Sequence, residues 1–345
     1  MYGSITCMKR IKLSFTPGLE VQFVDRELAL KRVEEWAVKS TRFPQVVFGP
    51  EGCGKTAWMR QSAVLLRELG FEVMYIDVLH RYFEVFTDVR EVAGKLAEAA
   101  AEAIGVAQLK LATLAIDLAR YLVERWWKKR VAVLVDDVFQ GIGLDKAATY
   151  VKGLLGLIEY PPRSVDAIVV VVATSEGISR REIGRHRWAN LIPMWNMPRD
   201  GFRQLYEQIP GDKPPYDHIW RITGGNPGLL AELYRAEWDT RRVVNMIIKE
   251  RRLGEFVTSL SESERELLRH AVEDPDILMS RDGIPLLNKL VDLNLVVDEL
   301  YPRDPWFWVG EVPPEKDLEL GIGKYVAWQT PLHREAVKQA LEEIK

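Results

Sequence analysis

An apolar run, Val46-Val47-Phe48, empties directly into Gly49-Pro50-Glu51-Gly52-Cys53-Gly54-Lys55-Thr56, and this junction constrains the chain more than any other stretch. It matches the spacing G-x-x-x-x-G-K-[ST] at every fixed position. A phosphate is a cluster of anionic oxygens, and backbone N–H groups reach it only where side chains do not block the approach. Gly49, Gly52 and Gly54 give that access. Lys55 offers a point charge to the outer phosphates and Thr56 a hydroxyl for Mg²⁺. Ala57 begins a helix predicted over 57–69 and closed by Gly70, with its positive end toward the anion. Pro50, Glu51 and Cys53 occupy the free positions of the loop, so 49–57 are the candidate phosphate contacts. A plain glycine turn would need neither the lysine nor the threonine.

A loop that holds phosphates does not by itself hold a metal or activate water, so a partner strand is required. Val131 to Val135 are five apolar residues that read as a strand buried on both faces, and Asp136-Asp137 appear where it ends. Asp136 is placed to support a Mg²⁺ shell, and Asp137 to orient or deprotonate water. The alternative, a strand followed by an acidic turn, leaves two carboxylates at an unneeded desolvation cost. A third apolar run, 167–173, ends in Thr174-Ser175. The Thr174 hydroxyl could bond a terminal phosphate or the lytic water, and strands also end at such residues for turn reasons alone. A strand at 71–77 and helices near 88–104, 109–128 and 144–158 complete an alternation that predicts a doubly wound parallel sheet.

The 345 residues exceed what one core usually serves, so two or three domains are expected. Hydrophobic residues at 47% and charged residues at 28% exclude a disordered or fibrous chain. No apolar span of 18 residues occurs and the start lacks the apolar core of a signal peptide, which predicts a cytoplasmic protein without a membrane partner. Cys7 and Cys53 are too few for a disulfide framework, and the five histidines show no ligand spacing.

These residues carry a family resemblance. The chain resembles the archaeal ATPase family within the STAND branch of AAA+ P-loop NTPases, related to the initiator ATPases of archaeal replication origins. Besides the loop and the Asp136-Asp137 strand, three segments carry the likeness. Phe23 to Leu28, with Arg26, resembles the stretch beside the adenine. Ile222-Thr223-Gly224-Gly225-Asn226-Pro227 resembles the glycine-proline element of a helical lid, with Pro227 against the base, and 325–334 resembles the family's winged-helix end. The resemblance implies ATP/ADP as the nucleotide, and an α/β P-loop sheet flanked by helices (AAA+/ASCE type), then a small helical lid and a winged-helix domain. The expected boundaries are 1–198, 199–258 and 259–345.

Two positions depart from the family pattern. Asp137 stands where a glutamate is usual, one methylene shorter, which bears on the speed of hydrolysis rather than on binding. Gly225 and Pro227 stand where other branches carry a sensor arginine. Without the resemblance, Pro227 reads equally as a proline that starts a helix. Helical spacing at 200–208, 217–222, 228–235 and 241–252 supports the lid independently. Between sheet and lid, Ser179 to Trp188 is rich in arginine. Gly184-Arg185 matches a family pair, and Arg185 could stabilise charge during phosphoryl transfer, from this chain or a neighbour, or lie on a solvated loop.

From about 259 the pattern changes to helix, helix and wing: Ser261 to Glu264 caps a helix running to 272, 284–293 forms another, and 295–300 could pair with 324–329. Between 259 and 345 there are 10 Lys and Arg against 18 Asp and Glu, a balance of −8, whereas the remaining residues carry 37 against 32, or +5. A duplex reader needs cations to displace counterions. The sequence therefore predicts an ATP-driven switch acting on a protein partner, as monomer or nucleotide-dependent oligomer. The competing expectation is a DNA-binding ATPase like the initiators or mobile-element helpers. Trp306-Phe307-Trp308 either folds back onto the module or stands out as a partner hot spot.

Overall fold

The computed structural model describes residues 8–175 and 177–343, apart from the side chains of Ile178 and Ser179. Cys7 and the Ser179 side chain therefore lie outside the described residues. The chain divides into two compact units. One comprises Arg26–Phe48 and Lys55–Pro193 with the described residues before Lys12; the other comprises Lys12–Asp25, Gly49–Gly54 and the chain from Met194 onward.

The first unit is built on a six-stranded sheet in the order Tyr82–Phe86, Glu72–Asp77, Arg130–Asp136, Ala167–Thr174, Gln45–Phe48, Asn190–Pro193. The last five run parallel. All eight residues of Ala167–Thr174 are buried, because helices cover both faces and leave no polar side to alternate with. Helices Arg90–Ala100, Val106–Trp126 and Ala147–Glu159 share a core with Val133, Val135, Val170 and Val172. Glu27–Lys39 and Lys55–Glu68 pack on the sheet as well, with Trp36 and Trp58 meeting edge to face at 6.4 Å. One element departs from the expected parallel sheet. Tyr82–Phe86 pairs antiparallel with Glu72–Asp77 and forms an edge. The four residues between them are far too few for a crossover, so only a hairpin-like return is possible.

Register brings the functional ends of the parallel strands together. Asp77 lies beside Asp136, Asp136 beside Ala173, and Phe48 beside both Thr174 and Pro193. Thr174 thus ends the strand between the one that feeds the glycine loop and the one that carries Asp136.

The second unit is mainly helical. Its helices are Arg199–Glu207, Tyr216–Thr223, Pro227–Arg235, Thr240–Glu250, Leu253–Ser259, Glu262–Glu273, Ile284–Asp292 and Pro331–Glu343. A hairpin of Lys12–Thr16 and Leu19–Gln22 belongs to it, as do the two-residue strands Val296–Val297 and Ala327–Trp328, which pair antiparallel. One continuous core runs through Phe202, Leu230, Leu233, Leu268, Leu290, Trp328 and Val337, all fully buried. The helix Pro331–Glu343 packs on Thr240–Glu250, Leu253–Ser259 and Glu262–Glu273. The Glu262–Glu273 helix opens with the expected capping box, Glu264 N to Ser261 Oγ at 3.3 Å and Ser261 N to Glu264 Oε2 at 2.9 Å. The connection between the short strands is pinned by Arg303, which donates to the carbonyls of Tyr301, Pro314, Glu315 and Gly323. Its aromatics divide: Trp308 is buried and meets Trp195 edge to face, as expected of a segment folded back onto the module, whereas Trp306 is 72% exposed.

Candidate functional site

The strand Gln45–Phe48 delivers the chain to Gly49, where no larger residue fits. A Cβ there would lie 1.9 Å from the Met194 carbonyl oxygen. Gly52 has φ +74°, and a Cβ on it would lie 2.8 Å from Asn226 Oδ1. Pro50 accepts a hydrogen bond from Cys53 N at 3.2 Å, and Cys53 is buried with its thiol 3.9 Å from the Met194 carbonyl. Lys55 and Thr56 open the helix Lys55–Glu68, Ala57 follows within it, and Lys55 is buried.

Asp136 ends its strand almost completely buried. Its carboxylate accepts from the Tyr75 hydroxyl at 3.1 Å and from the Thr56 side chain. Burial raises its pKa, and Asp137 and Asp77 raise it further; the Thr56 and Tyr75 bonds oppose the shift without cancelling it. Asp137 follows with φ +46° and precedes the helix Val138–Ile142, so a left-handed residue turns the chain at this point. Asp77 is occupied by His80, whose backbone N–H and Nδ1 both lie 2.9 Å from its carboxylate. Tyr75 is a residue that reading the motifs missed. Its only sequence signal is a hydroxyl within an otherwise apolar buried strand, which must find a partner.

In the helical unit, the loop 49–54 is enclosed by side chains far away in sequence. Asn226 caps the helix Pro227–Arg235, accepting from Leu229 N at 3.0 Å, and donates to the carbonyl of Glu51 and to Asn196 Oδ1, each at 2.8 Å. Gly228 N donates to the Gly52 carbonyl at 3.0 Å. Gln329 Oε1 accepts from Glu51 N at 2.9 Å, and Gln329 Nε2 donates to Asn294 Oδ1 at 2.8 Å. Asn294 Nδ2 returns to Glu51 Oε2 at 2.9 Å, and Arg251 forms an ion pair with the same carboxylate. Burial pushes the Glu51 carboxyl up, but Arg251 and Asn294 outweigh it and hold the group below its ordinary range. None of Arg251, Asn294 and Gln329 stands out locally in the sequence, since their meaning lies in what they reach.

The remaining candidates sit as follows. Thr174 is buried at its strand end. Pro227 is the first residue of its helix, the position where proline's missing N–H costs nothing. Arg26 is buried, with φ +68°, just before Glu27–Lys39. Arg185 is exposed and pairs with Glu182 at 3.1 Å. The buried arginine of that segment is instead Arg180, 4.9 Å over the Phe48 ring.

Residues 23–233 match a family described as an ATPase domain predominantly from Archaea. The chain belongs to this archaeal ATPase family. As a member it is a P-loop ATPase that binds and hydrolyses ATP. Solved structures resemble the family member across most of its length at low identity. They include AMPPCP-bound DnaA from Aquifex aeolicus, with 13% identity, TM-score 0.37 and 78% of each chain covered. They also include the Orc1 protein of Aeropyrum pernix in complex with DNA, with 17% identity, TM-score 0.32 and 93% of each chain covered. The nucleotide analogue and the DNA belong to those proteins. Among curated proteins none matches this ATPase in sequence.

Proposed function

We propose that this P-loop ATPase is a molecular switch, in which the bound nucleotide sets the arrangement of the lid and the winged-helix module and thereby the access of a protein partner. The observation that supports it is that residues of the lid and of the C-terminal module bond the phosphate loop within one unit. Asn226 and Gly228 donate to the carbonyls of Glu51 and Gly52, and Gln329 accepts from Glu51 N. A ligand seated on this loop acts on the residues that hold it.

In this proposal the amides of 49–57 and the Lys55 ammonium bind and orient the phosphates. Thr56 and Asp136 would hold Mg²⁺, which supplies charge neutralisation between the outer phosphates. Their fit rests on a buried carboxylate crowded by Asp137 and bonded to the Thr56 hydroxyl, a donor set that favours a hard cation. Asp137 accepts a proton from, or orients, the attacking water, and Thr174 offers its hydroxyl to the terminal phosphate. Arg26 and Pro227 flank the base. Arg185, turned to solvent, suits a neighbouring copy in a nucleotide-dependent oligomer better than its own site. Hydrolysis is slow in this proposal, because the Asp137 carboxylate reaches one methylene less far than a glutamate.

Lys55→Ala removes the charge at the outer phosphates. Equilibrium binding of a fluorescent ATP analogue is expected to be lost in this variant, and binding as tight as in the unaltered chain would overturn the site.

A further inference from the structure

The phosphate loop carries a carboxylate, Glu51, at a place built to attract anions. This is electrostatically adverse, and it calls for a compensating arrangement. The structure contains one. Both backbone polar groups of Glu51 are taken up by the helical unit, the N–H by Gln329 and the carbonyl by Asn226. Gln329, Asn294 and Glu51 close a ring of hydrogen bonds head to tail, and Arg251 neutralises the carboxylate. Gln329 is 2% exposed and Asn226 1%, so these amides are committed side chains rather than surface ones. Gln329 is itself fixed, since its carbonyl accepts from Asn196 Nδ2 at 3.2 Å.

We infer that Arg251, Asn294 and Gln329 are positioning residues of the phosphate loop, which hold it in shape and cancel the Glu51 charge so that nucleotide is retained. The inference rests on the nucleotide-site assignment above. While the three are docked, the loop amides have a fixed direction and the anionic ligand meets a neutral neighbour. When they withdraw, the loop loses the Gln329 anchor on the Glu51 N–H, and a bare carboxylate faces the phosphates. Nucleotide release and the position of the C-terminal residues are then two readouts of one contact. Like-charge repulsion gives the direction: undocking weakens nucleotide binding, and a nucleotide-loaded loop favours docking.

The experiment measures release of fluorescent ADP by stopped flow in the full chain, with melting temperature followed alongside. Arg251→Ala is expected to release ADP about tenfold faster, within the usual span of couplings between sites. Adding Glu51→Gln to Arg251→Ala is expected to recover most of that loss, because the charge left unpaired is gone. A purely structural contribution of Arg251 would lower the melting temperature without such recovery. Should Arg251→Ala not fold, Asn294→Asp places a second carboxylate beside Glu51 and is expected to speed release in the same way. Release at the unaltered rate in whichever of these two variants folds, or no recovery on neutralising Glu51, overturns the inference. An unaltered chain that binds neither ADP nor ATP overturns the nucleotide site beneath it.

Discussion

Asp136 and Asp137 are neighbours in sequence and differ in every physical respect. Asp136 is buried, bonded to Thr56 and Tyr75, and its pKa is raised by burial and by Asp137. Asp137 is partly exposed and turned out of the strand by its left-handed backbone. A group that holds a cation gains from the first setting, and a group that handles water gains from the second. Asp137→Asn keeps the shape and the hydrogen-bonding reach while removing the proton acceptor. ATP binding is expected to persist while steady-state phosphate release falls by about 100-fold, the lower end of what a positioned base contributes. Turnover at the unaltered rate would take the water-handling role away from Asp137.

At the scale of elements, the helix Pro331–Glu343 places His333, a buried side chain, in its first turn, with Nδ1 2.8 Å from Thr330 Oγ1. Burial, with Arg251 adding to it and Glu51 opposing, pushes the imidazole down to about 4. Between that value and the ordinary value of 6.5 the unfolded chain binds the proton and the folded chain does not, so stability rises with pH. Acidification from pH 6.5 to pH 4 is expected to cost about 3 kcal/mol through this residue. Chemical denaturation of His333→Gln across that range should lack this loss relative to the unaltered chain. Asp136, shifted the opposite way, contributes equally to both curves. Parallel curves would mean that His333 does not titrate as its burial dictates.

The elements that sequence patterns revealed well are those whose chemistry is local. The glycine loop, the apolar strands ending in Asp136 and Thr174, and the Ser261 capping box are each a short pattern with one physical cause. Tyr82–Phe86 escaped because an edge strand with half-exposed residues has neither clean alternation nor continuous apolarity. Lys12–Thr16 and Leu19–Gln22 escaped for a similar reason: their partners for burial, Val21 against a distant helical core, lie far along the chain. The ring around Glu51 could not be read at all. Its partners are 200, 243 and 278 residues away, and amides and arginines carry no periodicity.

Considered as a whole, the molecule has an uneven charge: residues 259–345 balance at −8 and the remainder at +5. A surface of that sign repels a phosphate backbone, and the affinity any basic surface retains must fall steeply with salt. In a gel-shift series from 50 to 200 mM salt, duplex DNA is expected to bind weakly, with loss of binding at the upper end. Tight binding with a steep salt slope would favour the DNA-binding alternative over a protein partner. The exposed Trp306, on a connection stiffened by Arg303, is a better match for protein than for a duplex. Among the described residues no helix is long and apolar enough to cross a membrane.

The helical unit is discontinuous in sequence, since its core needs Val21 near the start and Trp328, Val337 and Leu341 more than 300 residues later. The sheet unit is interrupted too, but its last segment ends at Pro193. On a ribosome, which releases the chain from its N-terminus, the sheet can close once the strand Asn190–Pro193 emerges, while the first hairpin waits for its partners. Through that interval Glu51 lacks Arg251, Asn294 and Gln329. A nascent chain would therefore pass through a stage with a formed sheet and an unguarded loop, in which premature nucleotide capture is disfavoured by the chain's own carboxylate. Synthesis order would then act as a timing device, arming the site only after residues beyond 329 have been made.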